Sequence, residues 1–135
     1  MAHGCWSTPA GQDTVLRLKT IHDAVAALIA EHAPDAVALE ESYVGADARI
    51  ALSVGQARGA VLVAAAGAGL ACAEHAPARV KQTVCGYGRA DEAQMQRMVK
   101  MILGLSNEPE NSHVADALGV AICHALGSPL VEALR

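Results

Sequence analysis

The sequence predicts an α/β domain with a largely parallel sheet, spanning residues 1–135. Three observations carry this. Apolar residues recur at three- and four-residue steps in several segments long enough for helices. Two short runs, residues 36–39 and 70–74, are almost continuously apolar, as strands buried on both faces are. The two kinds of segment alternate along the chain, the pattern of a parallel sheet crossed by helices.

Taken in order, residues 2–7 (Ala-His-Gly-Cys-Trp-Ser) read as a short strand or its remnant, with Trp6 in core or edge packing. Thr8-Pro9-Ala10-Gly11 is turn chemistry. A helix is expected from about residue 12 to 32, with Leu18, Ile21, Val25, Leu28 and Ile29 forming one apolar stripe, and Ala33-Pro34-Asp35 ends it. The first clear strand follows, Ala36-Val37-Ala38-Leu39, closed by Glu40-Glu41. Residues 46 to about 67 read as helix, with Gly55 and Gly59 as weak points that suit close packing against another helix. Residues 70–74 form the second strand, 77–85 a short helix, 86–88 a turn and 91–103 a third long helix. A loop at 107–111 precedes a last helix, capped by Asn111 or Ser112, that runs to about residue 126. Two strands and an N-terminal scrap are too few for a stable doubly wound sheet, so the fold needs further partners.

Hydrophobic residues make up 53 % of the chain, but Phe is absent and Trp6, Tyr43 and Tyr87 are the only aromatics. Packing must therefore come from aliphatic side chains and close helix contacts. No apolar run reaches the roughly 18 residues of a membrane span. The apolar stretch 59–73 is short and carries three glycines. No signal-peptide pattern opens the chain, and Cys5, Cys72, Cys85 and Cys123 show no paired spacing, so free thiols in the cytoplasm are the simple expectation. The net charge of −4 speaks weakly against nucleic acid. Between residues 79 and 100, however, Arg79, Lys81, Arg89, Arg97 and Lys100 face only Asp91 and Glu92, a local excess that suits phosphate or an ordinary solvated helix face.

Four residues could do chemistry. Glu40 or Glu41, which together close a strand, could enter a site, since ligands bind at the carboxyl ends of strands in open α/β sheets, or the pair could simply be a solvated strand end. His113 and Asp116 share a helix face one turn apart. They suit a metal ion, or simply an exposed helix start. Lys81, beside Gln82 and Thr83, suits a phosphate. Hard oxygen ligands favour magnesium, and two such ions about 4 Å apart can drive phosphodiester hydrolysis. Tyr43 could stack on an unpaired base or be a plain loop tyrosine. His22, His32, His75 and His124 read as structural.

Four segments, read together, resemble the RuvC-type resolvases: Ala38-Leu39-Glu40 with a nearby aromatic, Gly55-Gln56-Ala57-Arg58-Gly59, Val80-Lys81-Gln82-Thr83-Val84, and His113-Val114-Ala115-Asp116-Ala117-Leu118 with His124 beyond. The resemblance covers roughly residues 14–125. It implies a ribonuclease H-like fold and a cytoplasmic homodimer that binds a four-way DNA junction. It also implies magnesium-dependent symmetric nicking of two strands in recombination and repair. Two Mg2+ ions per site are implied, with Mn2+ as a substitute, and the RuvA–RuvB branch-migration complex as a partner. Glu40, His113 and Asp116 correspond to metal-site residues, and Lys81 to a lysine of catalysis or DNA contact. Tyr43 corresponds to the aromatic that stacks on junction bases, with Arg58 and Arg79 as further DNA contacts. Glu92 stands where some members carry lysine, and Gly119 replaces a usual Ala, with helix propensity as the expected consequence.

The family's opening strand bears an Ile-Asp-Pro-Gly-like motif whose Asp is a metal ligand, and a second strand follows it. Neither is present here, and Asp13, the first acidic residue, does not match. The chain is thus expected to lack the first two strands of the usual sheet. Alone, it is expected to cleave little and to be poorly stable, with apolar sheet edges exposed. A non-catalytic junction-binding module and a ribonuclease H-like protein acting on other nucleic acids are the competing expectations.

Overall fold

Helix α1, Thr14–His32, begins where the turn at residues 8–11 delivers the chain to Asp13. In this computed structural model, which describes residues 1–42 and 45–127, the Gln12 N–H donates to the Pro9 carbonyl at 3.2 Å and Gly11 takes a φ of 76°. Asp13 is the N-cap, its carboxylate accepting from the Val15 N–H at 3.2 Å. An acid stands here because the first turn has donors to satisfy. The helix stops at Ala33, whose φ of 45° reverses the chain before Pro34.

Strand β1, Ala36–Glu40, follows, and it pairs in parallel with β2, Ala71–His75. The Glu41 N–H donates to the His75 carbonyl at 2.9 Å, which carries the ladder one residue past β1. Between the strands lies α2, Ala48–Gly67, capped by Asp47, whose side chain accepts from Arg49 N–H at 2.9 Å. Helix α3, Pro77–Cys85, starts on Pro77, where the missing N–H costs nothing, and ends at Gly86 with φ 90°. Helix α4, Glu92–Leu103, is entered through a capping box. Asp91 accepts from Gln94 N–H at 2.8 Å, and the Gln94 side chain accepts from Asp91 N–H at 3.0 Å. Helix α5, Ser112–Leu126, is capped by Asn111, which accepts from Val114 N–H at 3.0 Å.

The chain divides into two compact units. One holds residues Trp6–Val37 and Ser42–Ala73, where α1 packs on α2. The other holds Met1–Cys5, Ala38–Glu41 and the described residues from Glu74 onward, where α3, α4 and α5 pack on one another. Its core is Val80 and Val84 of α3, Met95 and Val99 of α4, and Val114, Leu118 and Ile122 of α5. Each such fully buried side chain stabilises the fold by roughly 1.5–3 kcal/mol. With no Phe in the chain, aliphatic residues and methionine fill this space.

Several expectations change. Residues 1–7 form no strand, and Trp6 is 57 % exposed rather than packed in a core. A strand requires a partner ladder for its backbone groups, and the only ladder among the described residues joins β1 to β2. For the same reason β1 is half-buried along its whole length instead of covered on both faces. Gly55 and Gly59 do not mediate a close helix contact, because a Cβ at either would meet open space. Helix α2 is long and apolar enough, by those measures, to cross a membrane. Arg49 and Arg58 interrupt it, which is why no single apolar run stands out in the sequence.

Candidate active site

One cavity of about 250 Å³ collects three of the four chemistry-bearing residues. Its walls are Ala38, Leu39 and Glu40 of β1 and His113, Asp116 and Ala117 of α5. Glu40 is brought there by being the last residue of β1, and His113 and Asp116 by their spacing of one helical turn. Glu40 and Asp116 are half-buried, and His113 is exposed.

The electrostatics mark the cavity as a place short of positive charge. Burial pushes the Glu40 carboxyl above its ordinary range, the Asp116 carboxylate pushes it the same way, and Lys81 pulls it back. Burial likewise raises Asp116. Lys81 lowers it, Glu92 raises it and His113 lowers it. Two carboxylates held out of water with incomplete compensation favour either a proton or a cation between them. Lys81, on α3, lowers both.

Gly119 fixes how closely α5 lies on its neighbours. A Cβ there would stand 2.7 Å from Met95 Cε and 3.2 Å from Val80 Cγ1. Its role is therefore close packing one turn beyond Asp116, against α4 and the helix that carries Lys81, and not helix propensity alone. This corrects the sequence expectation.

The remaining residues are more scattered. Arg79 is exposed on α3, and Arg58 is half-buried on α2 in the other unit. Tyr43 lies outside the described residues. Arg79, Lys81, Arg89, Arg97 and Lys100 form no ion pair within 4 Å among the described residues, so their charge is available to an anion.

Two things escaped the sequence. Glu92 acts on Asp116 from the first turn of α4, a proximity across 24 positions that no spacing rule encodes. His75 and His124, read as unaccompanied, face one another with Nε2 and Nδ1 3.1 Å apart. Each lies at the C-terminal end of its element, which was the only available hint.

Magnesium chemistry suits this donor set: two carboxylates with raised proton affinity and an imidazole around one cavity. Yet no three His, Cys, Asp or Glu among the described residues stand close enough to hold an ion by themselves. Water, a substrate phosphate or a further carboxylate must complete the coordination.

Two carboxylates and an imidazole round a cavity at the carboxyl end of an α/β strand are the donor types found in carboxylate-based, metal-dependent hydrolases. The family described as crossover junction endodeoxyribonuclease RuvC matches residues 1–124, and the chain belongs to that family. The crossover junction endodeoxyribonuclease RuvC of Moorella thermoacetica is 47 % identical over 129 residues, covering 96 % of this chain and 77 % of that protein. The Chloroflexus aggregans protein of the same description is 45 % identical, with 96 % and 79 % covered. Among solved structures, Thermus thermophilus RuvC aligns with a TM-score of 0.80 at 39 % identity, covering 89 % of this chain and 72 % of that one. The same protein in complex with a Holliday junction substrate aligns with a TM-score of 0.84, covering 88 % and 72 %. The fold is thus the ribonuclease H-like α/β fold of this family, with two strands and five helices in the described part. As a family these enzymes use a divalent metal.

Proposed function

We propose that the chain is the resolvase part of a Holliday-junction endonuclease, which nicks four-way DNA junctions symmetrically during recombination and repair. The observation that carries this is the cavity at the end of β1, where Glu40 and Asp116 are both pushed toward holding a proton or a cation. Membership of the RuvC family supplies the substrate.

Glu40 from β1 and His113 and Asp116 from α5 would hold Mg2+, two ions per site, with Mn2+ as a substitute. Bound there, the metal supplies an activated water and stabilises the leaving oxygen. The rest is done by the chain. Lys81 sets a positive charge beside both carboxylates, where it lowers their proton affinity and would meet the charge that grows on the scissile phosphate. Arg79, on α3, and Arg58, on α2, contribute sequence-independent phosphate contacts. Tyr43 stacks on a junction base, a role that rests on the family resemblance alone. A homodimer presents two such sites to a two-fold junction, each protomer cutting one strand. Residues 1–135 act as one resolvase domain, in the cytoplasm, alongside the RuvA–RuvB branch-migration complex.

A second reading, junction binding without cleavage, is favoured by the absence of any three-donor metal cluster among the described residues. Synthetic four-way junctions, flaps and duplexes separate the two. Paired magnesium-dependent nicks that fall more than about 100-fold in Glu40→Gln or Asp116→Asn support the first reading, since even outer-shell ligand partners cost 10–100-fold. Tight, junction-selective binding with no nick supports the second. Nicking that survives both substitutions overturns the site.

A further inference from the structure

His75 ends β2 and His124 lies in the last turn of α5, 49 residues apart in sequence, both half-buried. His75 Nε2 and His124 Nδ1 face one another at 3.1 Å, and the ring centroids are 5.2 Å apart at an interplanar angle of 56°. Both nitrogens cannot carry a hydrogen in this arrangement, so one donates and the other accepts. Two imidazole nitrogens on a tetrahedral zinc ion, each about 2.05 Å from it, are separated by about 3.3 Å. The pair already stands near that separation, with tilted rings rather than a face-to-face stack.

We propose that His75 and His124 form a two-imidazole site for a transition-metal ion of the zinc type, the ion taking the place of the shared hydrogen. When both rings are neutral, the ring that carries the inner N–H moves it to its outer nitrogen, so both facing nitrogens become lone-pair donors and no net proton is released. Imidazole suits such ions, whereas magnesium prefers the oxygen-rich cavity at Glu40 and Asp116. The site is therefore separate from the proposed catalytic one.

The charged groups that His75 feels nearly balance. The Arg79 guanidinium on α3 disfavours a cation, and the Glu41 carboxylate, just past β1, favours one. Burial, the facing His124 and Arg79 hold His75 below its ordinary proton affinity, which keeps a lone pair free at neutral pH. No third His, Cys, Asp or Glu among the described residues completes the coordination, so water fills the remaining positions. The bound ion would clamp the end of β2 to the end of α5 in place of one hydrogen bond.

Zn2+ alone is the probe. Thermal unfolding and zinc titration of the full chain carrying Glu40→Gln and Asp116→Asn, which disable the carboxylate cavity, are expected to give a rise in Tm that saturates near one equivalent. Affinity falls by at least about tenfold in His75→Gln and in His124→Gln, the lower end of what loss of a ligand's supporting partner costs. Anomalous diffraction at the zinc edge on wild-type crystals decides the matter even when a variant does not fold: a peak between the two rings supports the site. A wild-type chain that shows no zinc response, a response that survives both substitutions, or a peak only elsewhere overturns it.

Discussion

Gly119→Ala tests whether close packing sets the position of the helix that bears His113 and Asp116. The added methyl would lie 2.7 Å from Met95 Cε and 3.2 Å from Val80 Cγ1. Ordinary carbon contacts are about 3.5–4.0 Å, so Met95 must withdraw by roughly 1 Å. Met95 is only 1 % exposed, and Cε is the far end of its flexible side chain, so it is this methyl that must swing aside within the core. Overpacking of this kind costs about 1–3 kcal/mol, against a gain of about 1 kcal/mol from replacing a mid-helix glycine. The expected net effect is a loss of about 1 kcal/mol in urea unfolding. Met95→Leu removes the offending Cε at a cost below about 1.5 kcal/mol. In that background Gly119→Ala should become stabilising by a few tenths of a kcal/mol to about 1, a coupling of about 1–2 kcal/mol between two touching residues. Equal stabilisation by Gly119→Ala in both backgrounds would refute the packing argument and return Gly119 to a matter of helix propensity.

Further predictions concern charge. Glu40 and Asp116 bind protons more tightly in the fold than in the unfolded chain, so their contribution to stability is present at low pH and is lost as pH rises through their raised folded values. At neutral pH without metal, Asp116→Asn should therefore raise the urea midpoint, an advantage that disappears in acid. Magnesium should stabilise the wild type and not the variant. Lys81→Met removes the charge that lowers both carboxyls. The acid limb of magnesium binding, followed by calorimetry against pH, should move to higher pH, and Lys81→Arg should restore it. His75 is shifted the other way. Its contribution is present above its unfolded value near 6.5 and is lost as pH falls through the lower folded one. His75→Phe should flatten that part of the stability profile, and an unchanged profile would show that the pair plays no part in it.

Most of the local structure was legible because it rests on local chemistry. Pro34 as a stop and Asn111 as a cap are read from the sequence, and the helix ends fall within two residues of where it suggests. One helical turn likewise puts His113 and Asp116 on one face, whereas the strand end leaves Glu40 and Glu41 open and only the family resemblance singles out Glu40. What could not be read is contact between distant elements. Gly119 against Met95, Glu92 beside Asp116, and His75 against His124 each depend on how helices pack, which side-chain periodicity does not specify. Residues 1–7 misled for a related reason: strand-like composition forms a strand only where a ladder receives it.

In the proposed function, Glu40, His113 and Asp116 hold the divalent cation of a junction resolvase. Paramagnetic broadening by Mn2+ in the nuclear magnetic resonance spectrum of the chain tests it most directly, since the effect is centred on the bound ion whether or not the DNA is cut. Broadening should spread outward from these three residues and be relieved by excess Mg2+. Broadening centred elsewhere, or none, would contradict it.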